Sequence, residues 1–379
     1  MKKILFVTND FGPRAGGIES FIMGLVERLP RDSVTVFTSS QGDTLRYDSN
    51  WLEDHGVEVI RDRSTIMLPT PRVARNLKKI ARQGGFDVVC FGAAAPLGLL
   101  APTLRKAGIT RIISLTHGHE VWWAKVFPFS LAMRRIGNTV DVLAYLGDFT
   151  RRNISLALSP KARDAMVRIA PGIDISHFAP DAAPSKVRKD LGFVEKTVIV
   201  SVGRLVPRKG QDRLIEALPM IRKSIPNVHL LLVGKGSYRH ALEKLAREKE
   251  VSELVTFVGR VPYAQLPAYF RCGDVFAMPS RSRMVGLEVE GLGIVYLEAS
   301  GCGLPVIAGN SGGAPDAVVD GVTGIVVDGR NTNEIAAAIV RVLSDPTKMR
   351  AMGAAGNEWV SAGWSWEIWS EKFASLLGV

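Results

Sequence analysis

Two glutamates stand eight positions apart in Glu290-Gly-Leu-Gly-Ile-Val-Tyr-Leu-Glu298, with glycines at Gly291 and Gly293 just inside the first. Read as a helix opened by Glu290, the segment puts Glu298 about 12 Å further along the axis and leaves backbone N–H groups free at the glycine end. That arrangement can measure out a nucleotide-sugar. One carboxylate takes sugar hydroxyls, the bare helix N-terminus takes phosphate, and the second carboxylate takes ribose hydroxyls. The two acids do not suit hydrolysis as a pair, because retaining glycosidases hold their carboxyl groups about 5–5.5 Å apart and inverting ones about 6.5–9.5 Å. A solvated helix face would carry the same two residues, so their weight comes from what stands upstream.

Upstream lies Val198-Ile-Val-Ser-Val-Gly-Arg204-Leu-Val-Pro-Arg-Lys209-Gly210, followed by the apolar-periodic Gln-Asp-Arg-Leu-Ile-Glu-Ala-Leu. The pattern reads as strand, loop and helix, which sets Arg204 and Lys209 at a strand's C-terminal end, where open α/β sheets bind ligands. A guanidinium can clamp phosphate oxygens in a fork and an ammonium adds a mobile point charge, so the pair suits a diphosphate. The N-terminus repeats the design. Lys3-Ile-Leu-Phe-Val-Thr8 is a buried-strand run, residues 9–15 form a turn, and Gly16-Gly17-Ile18-Glu19 opens an apolar-periodic helix. Two glycines there let backbone approach a ligand closely, although a tight turn would ask for them as well.

Elements that could position these residues recur along the whole chain. Beyond the first strand, short β-branched runs at 34–39, 57–60, 88–91, 112–116, 142–146, 198–202, 230–233, 255–258, 275–278, 306–308 and 324–327 alternate with helical patterns. The alternation predicts two doubly wound parallel sheets, and 379 residues with 46% hydrophobic content can fill two cores. The boundary is expected near Pro171-Gly172-Ile173-Asp174, ahead of the polar Pro180-Asp-Ala-Ala-Pro184, giving domains 1–170 and 171–363.

The net charge of +11 is uneven, since the first 170 residues hold 24 Lys and Arg against 15 Asp and Glu. No nucleic-acid-binding signature accompanies the excess, which argues against DNA or RNA as the partner. Val121-Trp122-Trp123-Ala-Lys125-Val-Phe127-Pro-Phe129-Ser-Leu131-Ala-Met-Arg134-Arg135 interleaves aromatics with cations and reads either as an element lying on an anionic bilayer or as a core helix with a basic edge. Cys90, Cys272 and Cys302 show no paired spacing, so a reducing, cytosolic setting is expected. The apolar run after Met1 stops at Thr8-Asn9-Asp10, too short for a signal peptide, and the uncharged stretch 88–104 is interrupted by Pro96 and Pro102. Any membrane contact is therefore expected to be peripheral.

His117 and His119 follow the strand ending near 116, at the same sheet edge as the other motifs. No further ligand cluster accompanies them, so no metal site is expected, and His117 reads as a polar wall of a sugar pocket. Val233-Gly234-Lys235-Gly236-Ser237-Tyr238-Arg239 offers a competing dinucleotide reading, that of an NAD-dependent sugar-nucleotide enzyme, but lacks the third glycine of that fingerprint.

Taken together, the Gly16-Gly17 loop, Arg204 with Lys209, and Glu290 with Glu298 resemble retaining GT-B glycosyltransferases of the large family that includes bacterial sucrose and glycogen synthases and many mannosyltransferases. More narrowly, Asn9-Asp10-Phe11-Gly-Pro-Arg14-Ala-Gly-Gly-Ile18, His117-Gly-His-Glu-Val-Trp-Trp123, the run from Arg281 to Glu298, and Ala308-Gly-Asn-Ser-Gly-Gly-Ala-Pro315 resemble its actinobacterial branch that mannosylates phosphatidylinositol monomannosides. The resemblance implies two Rossmann-like domains facing a central cleft, an acceptor half and a donor half, with the segment 364–379 crossing back onto the first. It implies GDP-mannose as donor, a glycolipid acceptor at the cytoplasmic face of the membrane, and no metal cofactor; another nucleotide-sugar or glycolipid is the alternative. The chain carries no Asp-x-Asp pair of the sort that metal-dependent sugar transferases use. In that frame Arg204 and Lys209 neutralise the diphosphate together with the backbone of Gly291, Leu292, Gly293 and Ile294. Glu290 holds the transferred sugar, Glu298 the ribose, His117 touches the sugar, Gly16 and Gly17 close over the phosphates, and guanine lies near Val258-Gly259-Arg260-Val261.

Overall fold

The computed structural model describes residues 2–14, 16–181 and 186–379 and divides the chain into two compact units, Met1–Gly172 with Trp366–Val379, and Ile173–Ser365. Residue 15 of the first glycine loop and residues 182–184 of the expected linker lie outside the described residues.

The first unit is built on seven parallel strands: β1 Ile4–Thr8, β2 Val34–Thr38, β3 Glu58–Arg61, β4 Val88–Phe91, β5 Arg111–Leu115, β6 Val142–Tyr145 and β7 Met166–Arg168, in the order β3-β2-β1-β4-β5-β6-β7. Every residue of β1, β2 and β4 is buried, as a parallel sheet covered by helices on both faces requires. The order reverses at β1 and β4, so the loops after these strands open a crevice at the carboxyl edge. The terminal helix Trp366–Leu377 belongs to this unit: Phe373 packs on Phe6 at 5.9 Å between ring centres, and the Arg111 guanidinium donates to the Leu376 carbonyl at 2.6 Å and 3.1 Å. Gly24 admits the Trp366 ring, because a Cβ there would meet it at 2.4 Å.

The second unit holds six parallel strands: β8 Thr197–Val202, β9 Val228–Val233, β10 Val255–Gly259, β11 Val275–Met278, β12 Val306–Gly309 and β13 Gly324–Val327, in the order β10-β9-β8-β11-β12-β13. Its core joins these strands to the helices Gln211–Ser224 and Thr332–Leu343 through Leu214, Leu218, Ile335 and Ile339. The reversal falls between β8 and β11, which places the loops after those two strands side by side.

Two parallel sheets are what the alternating pattern predicts, with one strand added. β7 is a three-residue edge strand, Met-Val-Arg, only half-buried, and so short that no period of two could announce it. The Trp122 segment folds as two helices, Glu120–Lys125 and Phe129–Thr139. Trp123, partly buried, packs against the core cluster and lies 4.9 Å from the Phe129 ring, whereas Phe127 and Leu131 remain 76% and 58% exposed. Among the described residues no helix is long and apolar enough to cross a membrane.

Candidate active site

In the second unit the loops after β8, β9 and β10 are sewn together by backbone. Leu205 N–H donates to the Lys235 carbonyl at 3.0 Å, and Gly234 N–H donates to the Gly259 carbonyl at 2.8 Å. A Cβ on Gly234 would stand 1.9 Å from the Gly203 carbonyl oxygen, and one on Gly236 2.0 Å from that of Leu205. The two glycines that suggested a dinucleotide loop are thus accounted for by contact between neighbouring loops. Gly259, at φ +87°, has open space where a side chain would be, and Val261 is half-buried just beyond it. Such bare backbone suits the edge of a planar base.

The cations sit on the loop after β8. A turn of 3-10 helix, Pro207–Lys209, ends at Gly210, whose φ of +78° and approach to the Pro279 carbonyl, 2.1 Å from a hypothetical Cβ, leave no room for another residue. The turn is anchored from the loop after β11: Arg281 N–H donates to the Arg208 carbonyl at 2.9 Å, while the Arg281 guanidinium grips Asp212 in a two-pronged bond of 2.8 Å and 2.6 Å. Lys209 is thereby carried inward, and its Nζ lies 2.8 Å from Glu290 Oε2, with the two side chains 10% and 9% exposed. Arg208 Nη1 reaches the same oxygen at 3.2 Å and the Val289 carbonyl at 3.2 Å. Arg204 is exposed, with no side-chain partner among the described residues, yet its charge acts on both Lys209 and Glu290.

Glu290 does not open a helix. The chain turns through a hairpin closed by Arg283 and Glu288, then passes across the loop after β12, where Glu290 N–H donates to Ser311 Oγ at 3.3 Å and its carbonyl accepts from Gly313 N–H at 2.8 Å. The helix begins only at Ile294, because Gly293 takes a left-handed φ of +87° that cannot be part of it. The stated rise along one axis therefore does not relate the two glutamates. What survives is the bare N-terminus: Gly293 provides no side-chain cap, so the first N–H groups of Ile294–Gly301 lack one. Tyr296 fixes this helix by donating its buried hydroxyl to the Met278 carbonyl at 2.7 Å, and its ring occupies the space a Gly293 Cβ would need.

The charges follow from this packing. Burial works to raise the Glu290 carboxyl, but Lys209, Arg208 and Arg204 outweigh it and hold the group below its ordinary value. Burial drives the Lys209 ammonium below its ordinary value, with Arg208 and Arg204 acting in the same sense and Glu290 opposing. Glu298, buried and without a hydrogen-bond partner for its carboxylate among the described residues, is pushed up to about 7 by burial, Lys209 pulling the other way.

In the first unit Gly16 precedes the helix Gly17–Val26, and a Cβ on it would meet the Glu19 carboxylate at 2.2 Å, whereas Gly17 faces open space. Arg14 pairs with Glu19 at 2.7 Å and with Asp10 at 3.7 Å. His117 lies buried beyond β5, its ring edge against Phe21 of that helix. Its Nε2 is 2.5 Å from the Gly92 carbonyl, which makes Nε2 the donor and leaves Nδ1 as an acceptor, and its backbone N–H donates to Glu120 Oε2 at 2.9 Å. Burial lowers the imidazole's proton affinity, with Glu120 opposing, so the ring is neutral near pH 7. Among the described residues no group of three or more His, Cys, Asp or Glu side chains could hold a metal ion.

Sequence reasoning passed over Arg208, Asp212, Arg281 and Tyr296. Arg208 had a signal, an Arg-Lys doublet bounded by proline and glycine, while Asp212 and Arg281 are joined across 69 positions with no local pattern.

With this geometry in hand, the chain matches two family models, Glycosyltransferase Family 4 over residues 15–177 and Glycosyl transferases group 1 over residues 185–359. It is 45% identical over 376 residues to the GDP-mannose-dependent alpha-(1-6)-phosphatidylinositol monomannoside mannosyltransferase of Mycolicibacterium smegmatis, covering 99% of this chain and 98% of that one. It is 42% identical to the corresponding enzyme for a monoacylated acceptor from Corynebacterium glutamicum, over 99% and 98% of the two chains. Among solved structures it superposes on Anabaena HepE in complex with UDP with a TM-score of 0.82 at 22% identity, over 99% of both chains, a likeness of fold.

Proposed function

From the premise that the chain belongs to the group 1 glycosyltransferases of GT-B fold, we propose that it transfers mannose from GDP-mannose to a phosphatidylinositol monomannoside. The observation that carries this reading is the 45% identity to a mannosyltransferase so described, sustained over 99% of this chain. The meeting of Lys209 with Glu290 supports the assignment of roles.

Lys209 and Arg204 hold the diphosphate, assisted by the N–H groups of Leu292, Gly293 and Ile294. Glu290, an ionised acceptor, takes hydroxyls of the mannose; Glu298 takes the ribose hydroxyls; Gly259 and Val261 present backbone to guanine. His117 offers Nδ1 to the sugar, and Gly16 and Gly17 bring backbone N–H groups to the phosphates. The anomeric C–O bond breaks to give an oxocarbenium-like sugar and a diphosphate, so preorganised positive charge on the leaving group is the largest catalytic contribution. The acceptor hydroxyl attacks on the face that the diphosphate leaves; its oxygen bonds to the anomeric carbon, and its proton passes to the departing phosphate oxygen. GDP and an α-mannoside result, with configuration retained. The two cations supply the charge that a divalent ion supplies in other transferases, so the reaction proceeds without metal.

The acceptor is a lipid in this reading, met at the cytoplasmic face of its membrane, and exposed Phe127 and Leu131, flanked by exposed Lys125, Arg134 and Arg135, support a peripheral contact there. The test of the whole reading is transfer of radiolabel from GDP-mannose to purified phosphatidylinositol monomannoside. Label in a product one mannose larger supports it; label transferred only from another nucleotide-sugar, or only to another lipid, overturns it.

A further inference from the structure

One oxygen of Glu290 bears two cations, and they are held very differently. Lys209 reaches it on a flexible four-carbon stem, with Nζ 2.8 Å away. Arg208 is tied down at three points: Nη1 donates to Glu290 Oε2 and to the Val289 carbonyl, both at 3.2 Å, while its own carbonyl accepts from Arg281 N–H at 2.9 Å. Arg281 is locked in turn by its two bonds to Asp212, at 2.8 Å and 2.6 Å.

A diphosphate entering this site draws Lys209 and Arg204 to itself, since it carries more negative charge than a single carboxylate. Glu290 then loses its shortest contact while remaining buried, and an ionised carboxylate stripped of its countercharge takes up a proton or turns away. The charged and titratable groups acting on Glu290 are Lys209 and Arg208 from the Pro207–Lys209 turn, Arg204 from the loop after β8, and the Tyr296 phenol from the helix Ile294–Gly301. Once the two cations serve the diphosphate, Arg208 is the one that stays.

We infer that Arg208 is a positioning residue whose guanidinium remains on Glu290 as the fixed countercharge when Lys209 moves to the donor diphosphate. It acts through Glu290 and does not touch the phosphates. The inference rests on the nucleotide-sugar reading of the site and adds to it a division of labour between adjacent cations.

The test compares Arg208→Met and Arg208→Lys with the unsubstituted enzyme, measuring GDP affinity and the kcat and KM of mannosyl transfer from about pH 5 to about pH 9. For Arg208→Met the expected result is GDP affinity within about threefold, kcat down about 10–100-fold at the acid end, and recovery of most of that loss at the alkaline end as Glu290 ionises unaided. Arg208→Lys returns the acid limb towards its original position. An equal loss at every pH, an unchanged profile, or a loss of tenfold or more in GDP affinity with the acid limb unmoved each overturns the inference. Should Arg208→Met not fold, the acid limb of Arg208→Lys decides alone, because a lysine on the shorter stem holds Glu290 less well and must shift that limb part of the way upward. If the unsubstituted enzyme neither binds GDP nor transfers mannose, the nucleotide-sugar reading itself fails and the inference falls with it.

Discussion

Lys209 Nζ lies 2.8 Å from Glu290 Oε2 in a nearly buried ion pair that joins the loop after β8 to the residue four positions before a helix. Breaking one partner strands the other. Lys209→Met leaves Glu290 to Arg208 and costs about 1–3 kcal/mol of stability, less than a fully orphaned buried charge would. If Lys209 holds the diphosphate as proposed, mannosyl transfer falls by at least about 100-fold. Thermal melts and steady-state kinetics check both; near-normal turnover in a folded variant would remove Lys209 from the mechanism.

Glu298 titrates in a useful range. Its carboxyl is raised from 4.5 to about 7 by burial, so the folded chain holds a proton that the unfolded chain has released. Stability therefore declines as pH rises from about 4.5 to about 7, and the penalty is complete above that window. Glu298→Gln removes it, making the variant more stable than the parent by about 1–3 kcal/mol at pH 8 and equal to it near pH 4. If ribose hydroxyls require the carboxylate, GDP binding near pH 7 releases about half a proton. Calorimetry in two buffers of different ionisation enthalpy reads that number, and a binding enthalpy independent of buffer would count against the ribose role.

The glycines divide into those that shape the fold and those that leave room. Gly293→Ala meets the Tyr296 ring and a left-handed φ together, so about 1–3 kcal/mol of stability and most activity are lost. Gly17→Ala faces open space, and its melting temperature should match the parent's while donor affinity falls. A large destabilisation by Gly17→Ala would mean that the glycine is there for the turn alone.

The parts legible in the sequence were those whose chemistry and period lie close together. Parallel sheets follow from β-branched runs alternating with helices, and the elements of the second unit's site were each visible as strand, cationic loop and glutamates. The helix starts later than its sequence suggests because Gly293 reads equally well as a first-turn residue and as a left-handed stop, and only contact with the loop after β12 selects the second. Arg208 and the Arg281–Asp212 bond were hidden for another reason: their roles depend on which side of a short turn faces β11, a tertiary fact with no local period. Composition leaves Trp123 open to core or bilayer, and only the tertiary structure shows it partly buried against the core cluster.

In the proposed site Lys209 and Arg204 neutralise the leaving group, so chelator should leave transfer unchanged. Loss of activity in EDTA that returns with added Mg²⁺ or Mn²⁺ would contradict that account.

At the membrane, replacing Phe127 and Leu131 with serine should weaken sedimentation with anionic vesicles about tenfold or more while leaving GDP affinity unaffected. Unchanged sedimentation would place the lipid contact elsewhere.

The most direct measurement is the structure of this chain with GDP-mannose bound. Diphosphate oxygens are expected within about 3 Å of Lys209 Nζ, with a mannose hydroxyl on Glu290 and Arg208 still on the same carboxylate. A nucleotide bound elsewhere, with the Lys209–Glu290 pair undisturbed, would contradict this.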